Sequence, residues 1–171
     1  MSLYAVDTDV LANIQRAGHA GTFRQLGSLP VIITDTVWDE LTINAAQNGA
    51  SKKTVQEAEN MLTAIAGART VLSPQSAESQ TLVQLQKSPA TEGIGEHSVI
   101  AYTFHHPGVT AVLHDRKALH RGVEELRGRV LSFHRFLDVL RTWHGLPGPV
   151  ASQLSDWYCA RFMPQRRPVW W

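Results

Sequence analysis

The sequence predicts an α/β fold, with a central parallel sheet between two layers of helices. Short apolar runs of strand length alternate along the chain with longer segments of helical periodicity. The helical segments supply the crossovers that parallel strands need, because a tight hairpin cannot join such strands. With 171 residues and 43% hydrophobic content, the chain can bury a substantial core. A three-layer α/β/α sandwich follows.

The elements are predicted from the apolar spacing, in chain order. Strands are predicted over residues 3–6, 31–33, 70–72, 110–113 and 130–131. Helices are predicted over residues 37–47, 52–66, 76–85, 96–104, 117–126 and 133–143.

The end of the chain is predicted to form a separate element. The run Gly-Leu-Pro-Gly-Pro at residues 145–149 breaks helical continuity, and apolar residues then resume at roughly helical spacing from Val150. We therefore divide the chain into a domain over residues 1–145 and an appended segment over 146–171. That segment holds a helix and a basic, aromatic tail that ends in Arg-Arg-Pro-Val-Trp-Trp.

Composition excludes some classes of protein and leaves others open. The formal net charge of +1, with both signs scattered along the chain, does not indicate nucleic-acid binding by bulk charge. The single cysteine, Cys159, excludes an intramolecular disulfide and fits a reducing compartment. No secretory leader and no apolar run of bilayer length is recognisable. We expect a cytoplasmic protein with no membrane association.

Two acids follow predicted strands directly. Asp7 closes the first strand, and Asp115 follows the fourth strand after His114. In an open parallel sheet the carboxyl ends of the strands line the crevice where ligands bind. Asp7 and Asp115 are therefore expected to face one site, although Asp7 and Asp9 could instead cap the helix that starts near Val10.

Two further acids are expected to join them from helices. Residues 36–39, Thr-Val-Trp-Asp, have the form of a capping arrangement in which Asp39 takes backbone donors and Glu40 faces elsewhere. Glu96 follows two glycines and falls in the first turn of a predicted helix. A carboxylate is electrostatically favoured at that terminus, so a structural role for Glu96 stays open.

Carboxylates that converge in a partly buried crevice repel one another, and a divalent cation relieves that cost. Ligands that are all oxygen suit Mg²⁺ or Mn²⁺ better than zinc. Such an ion lowers the pKa of a bound water and neutralises charge on a phosphodiester during in-line attack. The pattern predicts hydrolysis without a covalent intermediate.

The four acids lie in motifs that resemble those of the PIN-domain family. Asp-Thr-Asp-Val-Leu at residues 7–11 resembles the family's opening motif, and Val-Trp-Asp-Glu-Leu at 37–41 is similar to the second. Gly-Glu-His-Ser-Val-Ile-Ala at residues 95–101 and the acid in Leu-His-Asp at 113–115 match the third and fourth. The resemblance covers roughly residues 3–133. The chain departs from the family pattern in carrying Asp9 at a usually neutral position, and His114 at a position that is usually small and polar or acidic.

The resemblance implies a metal-dependent ribonuclease, most often the toxin of a bacterial toxin-antitoxin pair of the VapBC kind, inhibited by a small antitoxin. It assigns metal binding and catalysis to Asp7, Glu40, Glu96 and Asp115, with Mg²⁺ or Mn²⁺ as the cofactor. Asp9 and His114 could assist. Phosphate contacts of the RNA need local cations. The candidates, which could equally be solvated surface charges, are Lys52, Lys53, Arg116, Lys117 and Arg121.

Other interpretations remain open. Asp7 and Asp9 after a strand also resemble the haloacid dehalogenase phosphatases, with Thr34 as that family's second motif, although Glu40 and Glu96 would then have no task. A PIN-like scaffold that only binds RNA or protein is a third reading. A homodimer is also possible. His105 and His106 precede Pro-Gly and are expected to cap a helix end rather than to bind metal.

Overall fold

The structure is a computed structural model that describes residues 2–87 and 93–162. Within these residues the fold is a three-layer α/β/α sandwich around a four-stranded parallel sheet in the order β2-β1-β3-β4. The strands are β1 (Leu3–Val6), β2 (Val31–Ile32), β3 (Val109–Leu113) and β4 (Val130–Ser132). The predicted fold class is confirmed.

The helices connect and flank these strands. They are α1 (Thr8–Arg16), α2 (Ala20–Leu26), α3 (Asp35–Asp39), α4 (Ala45–Gln47), α5 (Lys52–Ala66), α6 (Ala77–Gln86), α7 (Ile94–His105), α8 (Arg116–Glu125), α9 (Phe133–Trp143) and α10 (Gly148–Phe162). A π-helical turn, Glu40–Asn44, joins α3 to α4. The helix predicted over residues 37–47 is found as α3, the π-helical turn and α4, which follow one another without a gap. Helix α2 was not predicted.

Side-chain caps fix where several helices begin. The hydroxyl oxygens of Ser51, Ser76 and Ser132 accept hydrogen bonds from backbone amides in the first turns of α5, α6 and α9. Each cap satisfies a donor that the helix itself leaves unpaired. At the C-terminal end of α7, His105 is the last helical residue and His106 is the C-cap, as the sequence predicted.

The predicted strand over residues 70–72 is wrong in extent. Only Thr70 pairs, in an isolated parallel bridge with Thr34. The amide of Leu72 instead donates to the Asp35 side chain at 3.2 Å. Because this carboxylate takes the donor that a strand would use, the ladder ends after one bridge.

One hydrophobic core runs through the described residues and includes the C-terminal helix. Leu146, Ala151, Leu154 and Tyr158 are buried in the same cluster as the apolar residues of the sheet. Helix α10 packs on α9. In the described ranges, no helix combines the length and apolarity that crossing a bilayer requires.

Candidate active site

The sheet order places two of the predicted acids at the point where the connections change direction. From β1 the chain moves to β2 on one side, and it then crosses to β3 on the other side of β1. Such a switch point opens a crevice at the carboxyl ends of the two strands. Asp7 follows β1 and Asp115 lies two residues after β3. The backbone also ties the two strands together here, because the Asp7 amide donates to the Val112 carbonyl at 3.0 Å.

Asp7 is a buried carboxylate with unused acceptor capacity. Its residue exposure is 1%, and it is the N-cap residue of α1, yet its side chain makes no cap hydrogen bond. Oδ2 is buried and has no hydrogen-bond partner among the described residues. Burial, and then the charges of Glu96, Asp9 and Glu40, raise the pKa of Asp7 well above its ordinary value. The helix cap therefore does not explain why this acid is buried.

Glu40 reaches the same crevice from the first residue of the π-helical turn. The Thr8 hydroxyl donates a hydrogen bond to Glu40 Oε2. Gly95 lies directly against this pair, and a Cβ on Gly95 would overlap both the Glu40 carboxylate and the Thr8 hydroxyl. The glycine is thus needed for the close approach of α7 to the Glu40 side chain. π-helical turns are often found at functional sites.

Glu96 lies in the first turn of α7, where the sequence placed it. Its residue exposure is 7%, and its Oε2 accepts a hydrogen bond from the Gly93 amide at 3.0 Å. This bond is the return half of a capping box, since Gly93 has no side chain for the other half. Helix α7 packs on β1, β3 and α3, and so holds its N-terminus over the crevice.

Asp115 is the exposed member of the set. It is the N-cap of α8, and its Oδ1 accepts from the amides of Lys117 and Ala118 at 2.7 and 3.3 Å. This capping role of Asp115 was not predicted from the sequence. It occupies Oδ1, and a carboxylate has two oxygens with about four acceptor positions in total, so a second role is compatible with the cap.

All four predicted acids line one pocket of about 440 Å³ at this crevice. Asp9 lines it as well, and so does Lys117. The lining residues are Asp7, Thr8, Asp9, Glu40, Gly93, Glu96, Asp115 and Lys117.

The chemistry of the donors fits a hard divalent cation. Carboxylate oxygens are the ligands that Mg²⁺ and Mn²⁺ prefer. Oδ2 of Asp7, which has no hydrogen-bond partner within the described part of the chain, is one such oxygen. The side chains are arranged around the pocket, not closed on a point: in residues 2–87 and 93–162, no three His, Cys, Asp or Glu side chains are close enough together to hold a metal ion. Ligation would thus require the carboxylates to draw closer together around the ion.

The other predicted residues lie at different distances from the pocket. Thr34 is fully buried; its hydroxyl caps α3 and lies 2.7 Å from the Ser98 hydroxyl. Of the five candidate cations, Lys117 lines the pocket. Lys52 and Lys53 are exposed at the start of α5, and Arg116 is exposed beside Asp115.

His114 lies on the connection between β3 and α8 and contacts both α1 and α10. Its Nδ1 lies 3.3 Å from Nδ2 of Asn13, which donates because an amide nitrogen cannot accept. Burial lowers the pKa of His114, although the nearby charges of Asp9 and Asp115 oppose that shift.

The predicted capping arrangement at residues 36–39 is wrong. The cap of α3 is Thr34, whose Oγ1 accepts from the Val37 amide at 3.3 Å. Asp39 forms an ion pair with Arg69 at 3.0 Å. The Thr34 hydroxyl also lies 2.7 Å from the Ser98 hydroxyl. Glu40 nevertheless faces elsewhere than Asp39 does, because it accepts a hydrogen bond from Thr8.

The residues that support Glu40 and His114 were not predicted from the sequence. The Thr8 hydroxyl donates to Glu40, Gly95 lies against that pair, and Asn13 and Tyr158 contact His114. Gly95 was interpreted only as a residue that loosens the chain before a helix, and it lies instead inside α7, as its second residue. The tail at residues 163–171 lies outside the described residues.

No profile of a known protein family, no curated protein and no solved structure matches the chain.

Proposed function

We propose that this chain is a divalent-metal-dependent ribonuclease in which Asp7, Glu40, Glu96 and Asp115 hold Mg²⁺ or Mn²⁺. The observation that supports it most is the Asp7 carboxylate, whose buried Oδ2 has no partner in residues 2–87 and 93–162, in a pocket that four other acids line. Burying such a charge among like charges is costly for folding alone. A cation-binding function supplies a reason for that arrangement.

The chain's own residues have distinct tasks in this proposal. A bound divalent ion supplies an activated water and neutralises charge on the phosphodiester. Asp7, on the inner strand β1, is the fixed ligand, while Glu40 is oriented by Thr8 and Glu96 by the Gly93 amide. Lys117, at the rim of the acidic pocket, would contact a phosphate of the RNA.

The resemblance of the motifs to the PIN-domain family extends the proposal to a biological setting. We propose that the chain acts in the cytoplasm as the toxin of a toxin-antitoxin pair. A small protein encoded beside it is then expected to bind the chain and suppress its nuclease activity. Co-expression of that neighbour, followed by an RNA cleavage assay of the complex, measures this directly.

The nuclease is tested by incubating the protein with single-stranded and structured RNA in Mg²⁺, Mn²⁺ or EDTA. Cleavage is expected with either metal and is expected to vanish in EDTA and in the Asp7→Asn and Glu40→Gln variants. Asp39→Asn is the matched control, because this neighbour of Glu40 pairs with Arg69 outside the pocket. It is expected to cleave like the wild type. Cleavage that survives chelation or Asp7→Asn would overturn the proposal.

The same preparations separate the nuclease from the two alternatives. Asp9 lines the pocket, as a general acid of a phosphatase would. Turnover of a small phosphate ester that is lost with Asp9→Asn, without RNA cleavage, would indicate the phosphatase. RNA binding without turnover under every metal would indicate a scaffold.

A further inference from the structure

The C-terminal helix α10 meets the candidate site at His114, the residue between β3 and Asp115. Tyr158 of α10 is 6% exposed, and its hydroxyl donates to the His114 carbonyl at 3.3 Å. The rings of Tyr158 and Phe162 both lie edge-on to the His114 imidazole, at centroid distances of 5.2 and 4.7 Å. Three contacts from one helix thus converge on a single residue.

Tyr158 is itself held firmly. Its ring stacks on Phe133, the first residue of α9, with centroids 4.8 Å apart and planes inclined by 17°. Burial and the neighbouring charge of Asp115 raise the pKa of Tyr158 to about 12. The phenol therefore keeps its proton, and it can act only as a fixed donor to the carbonyl.

His114 also contacts α1, the helix that follows the other strand-end acid. Its Nδ1 accepts from Asn13, a residue in the middle of α1 that is 1% exposed, and α1 begins directly after Asp7. The imidazole therefore contacts α1 on one side and α10 on the other.

We propose that α10 is a positioning element of the candidate site: through Tyr158, and with Asn13, it fixes His114 and so sets where the Asp115 carboxylate points. The inference rests on the proposed function for its consequence in metal binding. It assigns a task to a helix outside the part of the chain that carries the four acid motifs. Tyr158 and His114 are positioning residues, since they act through Asp115.

The test uses two variants of Tyr158 and one control in the full chain. Tyr158→Phe removes only the hydroxyl, and Tyr158→Leu removes the ring contacts as well. Leu154 lies one turn earlier on the same buried face of α10. Leu154→Ala opens a cavity in the core but removes neither the ring nor the hydroxyl that contacts His114. It reports what mere loosening of α10 does.

The first measurement needs no metal. The amides of Lys117 and Ala118 donate to Asp115 Oδ1, so their hydrogen exchange in EDTA reports how well this carboxylate is held. Their rates, relative to the Leu126 amide at the other end of α8, are expected to rise about three- to tenfold in Tyr158→Phe, the range for one lost hydrogen bond. A larger rise is expected in Tyr158→Leu, and little change in Leu154→Ala.

The second measurement is the Mn²⁺ concentration that half-saturates the rise in thermal midpoint. We expect it to increase about three- to tenfold in Tyr158→Phe and by more in Tyr158→Leu, because residues that orient a ligand affect affinity strongly. Relative exchange rates and Mn²⁺ affinities in both Tyr158 variants that match Leu154→Ala would overturn the inference while leaving the nuclease intact. If wild-type protein neither binds Mn²⁺ nor cuts RNA, the proposed function fails, and the exchange rates alone decide whether α10 positions Asp115.

Discussion

Asp7 is the residue on which the electrostatics of the pocket depend. Its native pKa is raised by burial and by the charges of Glu96, Asp9 and Glu40. Because the native pKa is raised, the protonated carboxyl group stabilises the fold most below the pKa of 3.8 that it has in the unfolded chain. That stability is lost as the pH rises from there through the native pKa. Ionisation of Asp7 in the folded chain is therefore destabilising in the absence of a cation.

Asp7→Asn is accordingly expected to raise the free energy of unfolding at pH 7 in EDTA. The gain arises because asparagine places no charge beside Glu96, Asp9 and Glu40. It should shrink towards pH 4, where Asp7 is increasingly protonated in both states. Urea denaturation from pH 4 to pH 8 measures it, with Asp9→Asn, at an exposed acid, as the control with a smaller gain. A gain for Asp7→Asn that does not depend on pH would contradict the like-charge cluster.

Gly95 and Gly93 form a matched pair for testing how closely α7 approaches Glu40. A Cβ at Gly95 overlaps Glu40 and Thr8, whereas a Cβ at Gly93 meets nothing within 4 Å. Gly95→Ala is expected to abolish RNA cleavage, because the Glu40 carboxylate must move. Overpacking costs about 1–3 kcal/mol, and the better helix propensity of alanine offsets about 1 kcal/mol of it. Gly93→Ala should keep activity but lose some stability, because glycine is a better N-cap residue than alanine. Equal activity of the two variants would contradict the close approach.

At the scale of the element, Asp115 combines a helix cap with a place in the pocket. Asparagine keeps the cap oxygen and loses the charge, whereas alanine loses both. Asp115→Asn should therefore unfold at nearly the wild-type urea concentration, and Asp115→Ala should lose about 1 kcal/mol. Both variants are expected to lose RNA cleavage. An active Asp115→Asn would assign this residue to capping alone.

The elements show which features local sequence determines. Apolar periodicity located the four strands to within a residue or so and most helices, because burial of one face imposes that spacing. The segment 70–72 was misjudged because its backbone donor at Leu72 is taken by Asp35, which lies 37 positions earlier. The π-helical turn at Glu40 also had no visible signal, since apolar spacing does not distinguish it from an α-helix.

The candidate site divides in the same way. The positions of Asp7, Asp115 and Glu96 relative to strand and helix ends were predictable, because strand ends and first turns are local features. These three acids line one pocket together with Glu40. That convergence depends on the order of the strands in the sheet, which local sequence patterns do not determine. The supporting contacts of Thr8 with Glu40 and of Asn13 with His114 were not predictable, since they join residues 32 and 101 positions apart.

At the scale of the whole molecule, a cation that binds the folded pocket should stabilise the chain against heat. Free ligand at a hundred times its Kd contributes about 2.7 kcal/mol. For a chain of this length, each kcal/mol shifts the midpoint by about 2–4 °C, so a rise of about 5–10 °C is expected with saturating Mn²⁺. Differential scanning fluorimetry measures it, with Asp7→Asn as the variant that should not respond. A midpoint that stays flat across the Mn²⁺ titration would count against the site.

The order of the strands has a consequence for how the molecule loosens. Asp7 and Asp115 follow β1 and β3, the two inner strands, and each inner strand is flanked by a shorter outer one. Fraying on warming begins at the rims of a sheet, where the backbone has neighbours on one side only. We therefore expect the short outer strands β2 and β4 to detach first. The inner strands, which carry Asp7 and Asp115 at their carboxyl ends, would then be the last part of the sheet to melt.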